Sequence, residues 1–154
     1  MEKGTLRSIL KEKGYHRISL KRTITNHFEV KAKINRIEGN FILDTGASSS
    51  CIDFDSVNHF NLSVEESEIL AAGAGAANMI TQIARQNSIE IKGWEKKKIN
   101  LVLFDLSHVN EALVNHNAEK VHGIIGADVL KAGKAIIDCE NKALYLKNKT
   151  KVKS

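Results

Sequence analysis

The 154-residue chain has no proline, so no proline-rich linker divides it and no polyproline recognition segment is present. Its two cysteines, Cys51 and Cys139, are too few for a disulfide framework, and both are expected to be reduced and buried. Aromatics are scarce. One Trp and two Tyr, with no motif interleaving them with basic residues, exclude the stacking platforms of single-strand nucleic-acid binders. Long apolar runs are missing as well: stretches such as Leu101 to Phe104 fall far short of the roughly 20 residues that cross a bilayer. The basic N-terminus, from Met1 to Leu10, is not followed by the apolar run of an export signal. No membrane partner and a cytoplasmic location are expected.

Apolar residues at 42% and charged residues at 27% place the chain with soluble globular proteins. Its length suits one domain with a hydrophobic core. Charge is unevenly spread. Residues 1 to 33 carry a net +6, residues 131 to 154 a net +5, and the centre a net −6. The basicity therefore belongs to the ends, which are read as solvated termini, with nucleic acid an unlikely partner. The division expected is an arm or short helix over 1–17, a domain over 18–147 and a basic tail over 148–154.

A weak helical period (Leu6, Ile9, Leu10) ends near Gly14. From Ile18 the period becomes two, with Phe28, Val30, Ala32 and Ile34 alternating with Glu29, Lys31, Lys33 and Asn35, the pattern of a half-buried strand. Glu38-Gly39-Asn40 reads as a turn, and Phe41-Ile42-Leu43 as a short apolar strand. Asp53 or Asp55 is positioned to cap a helical turn before Phe60. Two glycines in Ala71 to Asn78 argue for a hairpin tip over a helix, since each costs about 1 kcal/mol in a helix interior. Ile89 to Ile91 and Ile99 to Phe104 read as strands about a turn at Lys92-Gly93-Trp94. A helix over 106–115, with Ser107 as N-cap, follows. Ala135 to Asp138 and Ala143 to Leu146, joined at Glu140 to Lys142, form a closing hairpin. No internal repeat interrupts the chain.

The apolar strand Phe41 to Leu43 delivers Asp44, Thr45 and Gly46. An unpaired carboxylate near a core is costly. Such placement makes chemical sense where the carboxylate shares a proton with a like partner. Of two carboxylates about 3 Å apart, one takes a proton from a bound water while the other donates to the substrate carbonyl, as in aspartic proteases. Taken alone, the triplet is equally a turn aspartate capping Gly46 or Ala47. Its company extends the match: Phe41 to Ser48, then the glycine-bearing hairpin about 30 residues on, then Gly123-Ile124-Ile125-Gly126-Ala127-Asp128-Val129-Leu130, then the closing hairpin. Together these resemble the retropepsin-like aspartic peptidases over roughly residues 18 to 147.

That resemblance implies a mainly β, closed acid-protease barrel with a flap hairpin and a few short helices. It implies that Asp44 is the catalytic carboxylate and that the Thr45 hydroxyl cross-links two active-site loops. Gly46 would permit the tight turn, and Ser48 would hydrogen-bond the outer oxygen of Asp44. Gly73, Ala74, Gly75 and Ala76 would belong to the flap over a polypeptide substrate, and Ile125 and Gly126 would support the active-site loop. Only one such triplet occurs, so a homodimer must supply the second carboxylate. No cofactor and no metal are required. The alternative from another class is a non-catalytic module that keeps the fold for dimerisation or peptide binding.

Rival chemistries lack their patterns. His108, His116 and His122, with Glu111 and Glu119 nearby, do not form a His-Glu-x-x-His spacing and read as surface histidines. Ser48 to Ser50 lack a nucleophile elbow. Cys51 sits among apolar residues as a core thiol. Asp128 reads as a first-turn helix residue favoured by the macrodipole, and Asp138 as a strand-end or turn partner.

Overall fold

The computed structural model describes residues 4–67 and 81–148. Alternation in the sequence becomes a strand, β3 (Phe28–Ile34), with Val30, Ala32 and Ile34 buried and Lys31 and Lys33 exposed. It turns back into β4 (Ile37–Leu43) with Ile34 opposite Ile37. The turn is not at Glu38 to Asn40. Asn35 and Arg36 both take positive φ, 51° and 69°, which gives the two-residue hairpin loop whose twist matches its strands. Gly39 lies inside β4, opposite Ala32, and an added Cβ there would come 2.5 Å from the Phe60 ring.

The remaining barrel strands are β5 (Cys51–Asp53), β7 (Thr81–Ile91), β8 (Trp94–Phe104) and β9 (Gly123–Ile125). Hydrogen bonding runs β3-β4-β9-β5-β8-β7, and β7 pairs again with β3 through Ile34 and Ile89. Six strands thus close on themselves, a mainly β closed barrel that leaves no unpaired edge among them. Two short strands flank it, β2 (Lys21–Arg22) on β3 and β6 (Val64–Ser67) on β7. Ile34, Ile52, Phe60, Ile89, Ile91, Leu101 and Ile125 fill the interior at 1% exposure or less. Each contributes about 1.5–3 kcal/mol by leaving water.

A second sheet pairs β1 (Tyr15–Ser19) and β10 (Ile136–Asp138) on either side of β11 (Ala143–Lys147). Helix α1 (Leu6–Glu12) lays Leu10 against Ala143 and Tyr145, so β1 and α1 bring the basic N-terminal segment onto the C-terminal hairpin. Trp94 locks this sheet to the barrel by donating Nε1–H to the Lys147 carbonyl at 3.1 Å. Helix α2 (Ser107–Asn115) spans the expected range, but Ser107 is its first residue rather than its N-cap: Leu106 holds that position without a side-chain cap, and Asp105 accepts the Ser107 N–H at 2.9 Å. Among the described residues no helix is long and apolar enough to cross a membrane.

His122, just before β9, is half-buried rather than a surface histidine. Its N–H donates to the Asn40 carbonyl at 2.7 Å, and its Nδ1 accepts the Asn40 N–H at 3.0 Å. Its ring stacks on His59 with centroids 4.6 Å apart. Burial first, then the neighbouring His59, holds His122 below its ordinary value of 6.5. The fold therefore prefers the neutral ring more than the unfolded chain does. The stability this provides is complete above the ordinary value and is lost as pH falls through the depressed folded value. Lowering pH from about 7.5 to about 5 should reduce the melting temperature more in the native chain than in His122→Gln. Equal decreases would assign the acid sensitivity to other groups.

Candidate active site

Asp44 follows β4 directly. Its strand is fixed on both sides by pairing, and its own N–H donates to the Ile125 carbonyl at 3.0 Å, one step beyond the parallel β4–β9 ladder. The chain then turns sharply: the Gly46 N–H donates to Asp44 Oδ1 at 2.9 Å, and the Ala47 N–H to the Asp44 carbonyl at 3.3 Å. One carboxylate oxygen is thus oriented by backbone while the side chain stays exposed. Thr45 and Gly46 are exposed beside it. Ser48 is exposed and without a partner among the described residues, so its expected hydrogen bond to Asp44 is not formed in the single chain. The positions expected to cover the site, Gly73, Ala74, Gly75 and Ala76, lie outside the described residues. The strands on either side of that segment, β6 and β7, pair with Ser67 opposite Thr81.

The loop from Asp44 to Ser50 is held by the start of α3 (Ala127–Ala132), and this support contains residues whose roles sequence reasoning missed. Ser50 is 0% exposed. Its Oγ donates to Asp128 Oδ1 at 2.7 Å and accepts the Gly126 N–H at 2.9 Å. The Asp128 carboxylate also receives the Ser50 N–H at 3.0 Å and the Val129 N–H at 2.8 Å. Asp128 is therefore a first-turn residue of its helix, as expected, and in addition the clamp that ties α3 to the Asp44 loop. A charge-assisted cluster of this kind contributes about 1.5–3 kcal/mol per bond. The Ala127 N–H donates to the Ala47 carbonyl at 2.7 Å and completes the tie. The only sequence signal for it was a serine and an aspartate beside two glycine-marked turns.

Rival nucleophiles are disarmed by the same geometry. Ser50 has its hydroxyl committed in both directions. Cys51 is partly buried with its Sγ 3.3 Å from the Ser49 carbonyl. Burial above all, then the Asp128 and Asp44 carboxylates, pushes its thiol up to about 11, so little thiolate exists at neutral pH. Cys139 is free and exposed, not buried as expected. Asp138 receives the Asn141 N–H at 3.1 Å and its amide at 2.8 Å, the turn role expected of it.

The site is thus a single exposed carboxylate presented by a loop hydrogen-bonded to both β9 and α3. A model of the aspartyl protease family matches residues 30–129. Among solved structures the chain is similar to a retropepsin-like aspartic protease from Rickettsia conorii, at 20% identity over 88% of this chain and 91% of that one, with a TM-score of 0.59. It is also similar to the retroviral protease-like domain of Ddi1 from Leishmania major, at 19% identity over 84% and 92% of the two chains, with a TM-score of 0.53. At such identities the likeness is one of fold. No curated protein matches the chain.

Proposed function

The chain belongs to the aspartyl protease family, and on that footing we propose that it is an aspartic endopeptidase whose active site forms between two copies, each contributing Asp44. The observation that carries this reading is the exposed Asp44 carboxylate, oriented on one oxygen by the Gly46 N–H while the loop beneath it is clamped to α3. One carboxylate alone lacks the partner that general acid–base chemistry needs. A twofold axis through the site sets Asp44 against its own copy.

In the dimer a water bridges the two carboxylates. One takes a proton from the water as its oxygen bonds the peptide carbonyl carbon. The other gives its proton to the carbonyl oxygen, producing a neutral tetrahedral diol. Return of a proton to the amide nitrogen lets the C–N bond break, releasing an acid and an amine. Thr45, exposed beside Asp44, is placed in this proposal across the axis, where its hydroxyl links the two loops. Ser48 and Gly46 shape the rim, and the segment containing Gly73 to Ala76 covers the substrate, excluding water from the reacting bond.

The test is hydrolysis of an unfolded polypeptide, followed by mass spectrometry, across a range of chain concentrations. The specific activity should rise with concentration and reach a plateau as the dimer fills. An activity independent of concentration down to fully monomeric chain would remove the shared dyad. Tight peptide binding without cleavage by the dimer would favour a binding module.

A further inference from the structure

At the opposite end of the β5–β9 pair from Asp44, a cleft of about 610 Å³ opens between α2 and the 3-10 turn Phe54–Ser56. That volume is within the range of small-ligand sites, roughly 300–1,000 Å³. It is a separate place: the Asp53 N–H donates to the His122 carbonyl at 2.9 Å, three residues before the carbonyl that receives Asp44.

Its walls carry unused polar capacity. Ser56 lines the cleft at 6% exposure, and its Oγ has no hydrogen-bond partner among the described residues. Asp53, also 6% exposed, accepts the Leu106 N–H on Oδ1 at 3.2 Å and the Asn110 Nδ2–H on Oδ2 at 3.5 Å. No Lys or Arg among the described residues forms an ion pair with it. A carboxylate offers about four acceptor positions and is costly to bury without a counter-charge. Asp55 and Glu111 add two more carboxylates to the lining and Lys120 one cation, so the cleft is formally negative on a chain of net charge +5. His122, on the same wall, is held toward its neutral form and does not offset this. Val114 and Val121 supply an aliphatic side. No set of three ligating side chains among the described residues is arranged for a metal.

We propose that this cleft binds a small organic cation, a guanidinium or alkylammonium compound, whose charged head donates hydrogen bonds to Asp53 and to Ser56 Oγ while its alkyl part lies along Val114 and Val121. A guanidinium fits best, because its planar fork matches a carboxylate.

The experiment titrates agmatine into the full chain at low salt by calorimetry, with NMR of the histidine resonances reporting the place of binding. Glutamate and glycerol serve as controls. Saturable binding of agmatine alone, with Kd of about 10 μM to 1 mM, is expected. It should move His59 and His122 but not His27, and should weaken with added salt. Asp53→Asn should weaken binding more than about tenfold. Because Asp53 also holds the Leu106 N–H, that variant could lose its fold, so Ser56→Ala and Glu111→Gln carry the test independently. Each should keep the native melting profile and weaken agmatine by about threefold or more. No saturation by about 20 mM agmatine, equal binding of glutamate, or unchanged affinity in both Ser56→Ala and Glu111→Gln would overturn the assignment.

Discussion

Asp44→Asn is expected to reduce peptide hydrolysis by about a thousandfold or more, the scale of losing a positioned acid–base group, with no loss of folded protein. Asparagine matches aspartate in shape, and its Oδ1 can still accept the Gly46 N–H that orients Asp44 at 2.9 Å. The side chain is exposed and has no cationic partner among the described residues, so the substitution leaves no buried group unsatisfied. What it removes is the ability to exchange a proton with water and substrate. Mixing supplies a sharper form of the test. If each site needs one Asp44 from each chain, equal amounts of native and Asp44→Asn chains, allowed to exchange partners, should show about a quarter of the activity of the same total amount of native chain. Retention of a half would mean that each chain works alone. A native melting profile with full peptide affinity and no change in turnover would reject Asp44 as the acting carboxylate.

Much of this site was legible because it is local. The alternation from Phe28 to Ile34 and the run Phe41 to Leu43 before Asp44 are dictated by neighbours in sequence, and both became strands of the barrel. The failures are non-local. Glu38 to Asn40 has a turn's composition, but Gly39 is there to let Phe60, 21 residues later, lie against the strand. The true turn uses Asn35 and Arg36, neither of them glycine. β7 and β8 each run 11 residues, yet only Ile89 to Ile91 and Ile99 to Phe104 stood out. Register shifts between Ala84, Asn87 and Ile89, and the exposed residues Glu95 to Lys98, break the period that marks a strand. The Ser50–Asp128 clamp joins residues 78 apart. No spacing rule reaches that far, and the pairing becomes visible only once β4, β5 and β9 lie side by side.

That clamp leaves Gly126 no room for a side chain. Its φ of −105° and ψ of −170° are open to any residue, so conformational freedom is not why glycine stands there. Space is. An added Cβ would come 2.7 Å from the Ala47 carbonyl oxygen and 3.0 Å from the carbonyl carbon and oxygen of Ser49. These are backbone atoms of the Asp44 loop, which cannot swing aside as a side-chain end can. Gly126→Ala must therefore push that loop away from α3. The displacement strains the Gly126–Ser50 bond at 2.9 Å and the Ala127–Ala47 bond at 2.7 Å. Overpacking costs about 1–3 kcal/mol, and each weakened hydrogen bond about 1 kcal/mol. A loss of about 3–5 kcal/mol is large against the roughly 5–15 kcal/mol that hold a typical domain together, and should lower the melting temperature by about 10 °C. Hydrolysis by the chains that remain folded should also fall, by about a hundredfold, because Asp44 shifts with the loop while a productive geometry tolerates less than about 1 Å. Ser50→Ala separates the two effects. It removes the hydroxyl from the clamp without forcing the loop outward, so stability should fall by about 2.5–4 kcal/mol, for one bond to a carboxylate and one to a backbone N–H, with a smaller loss of turnover. If Gly126→Ala matched Ser50→Ala in both readouts, the contact with the Ala47 and Ser49 backbone would not be what positions Asp44.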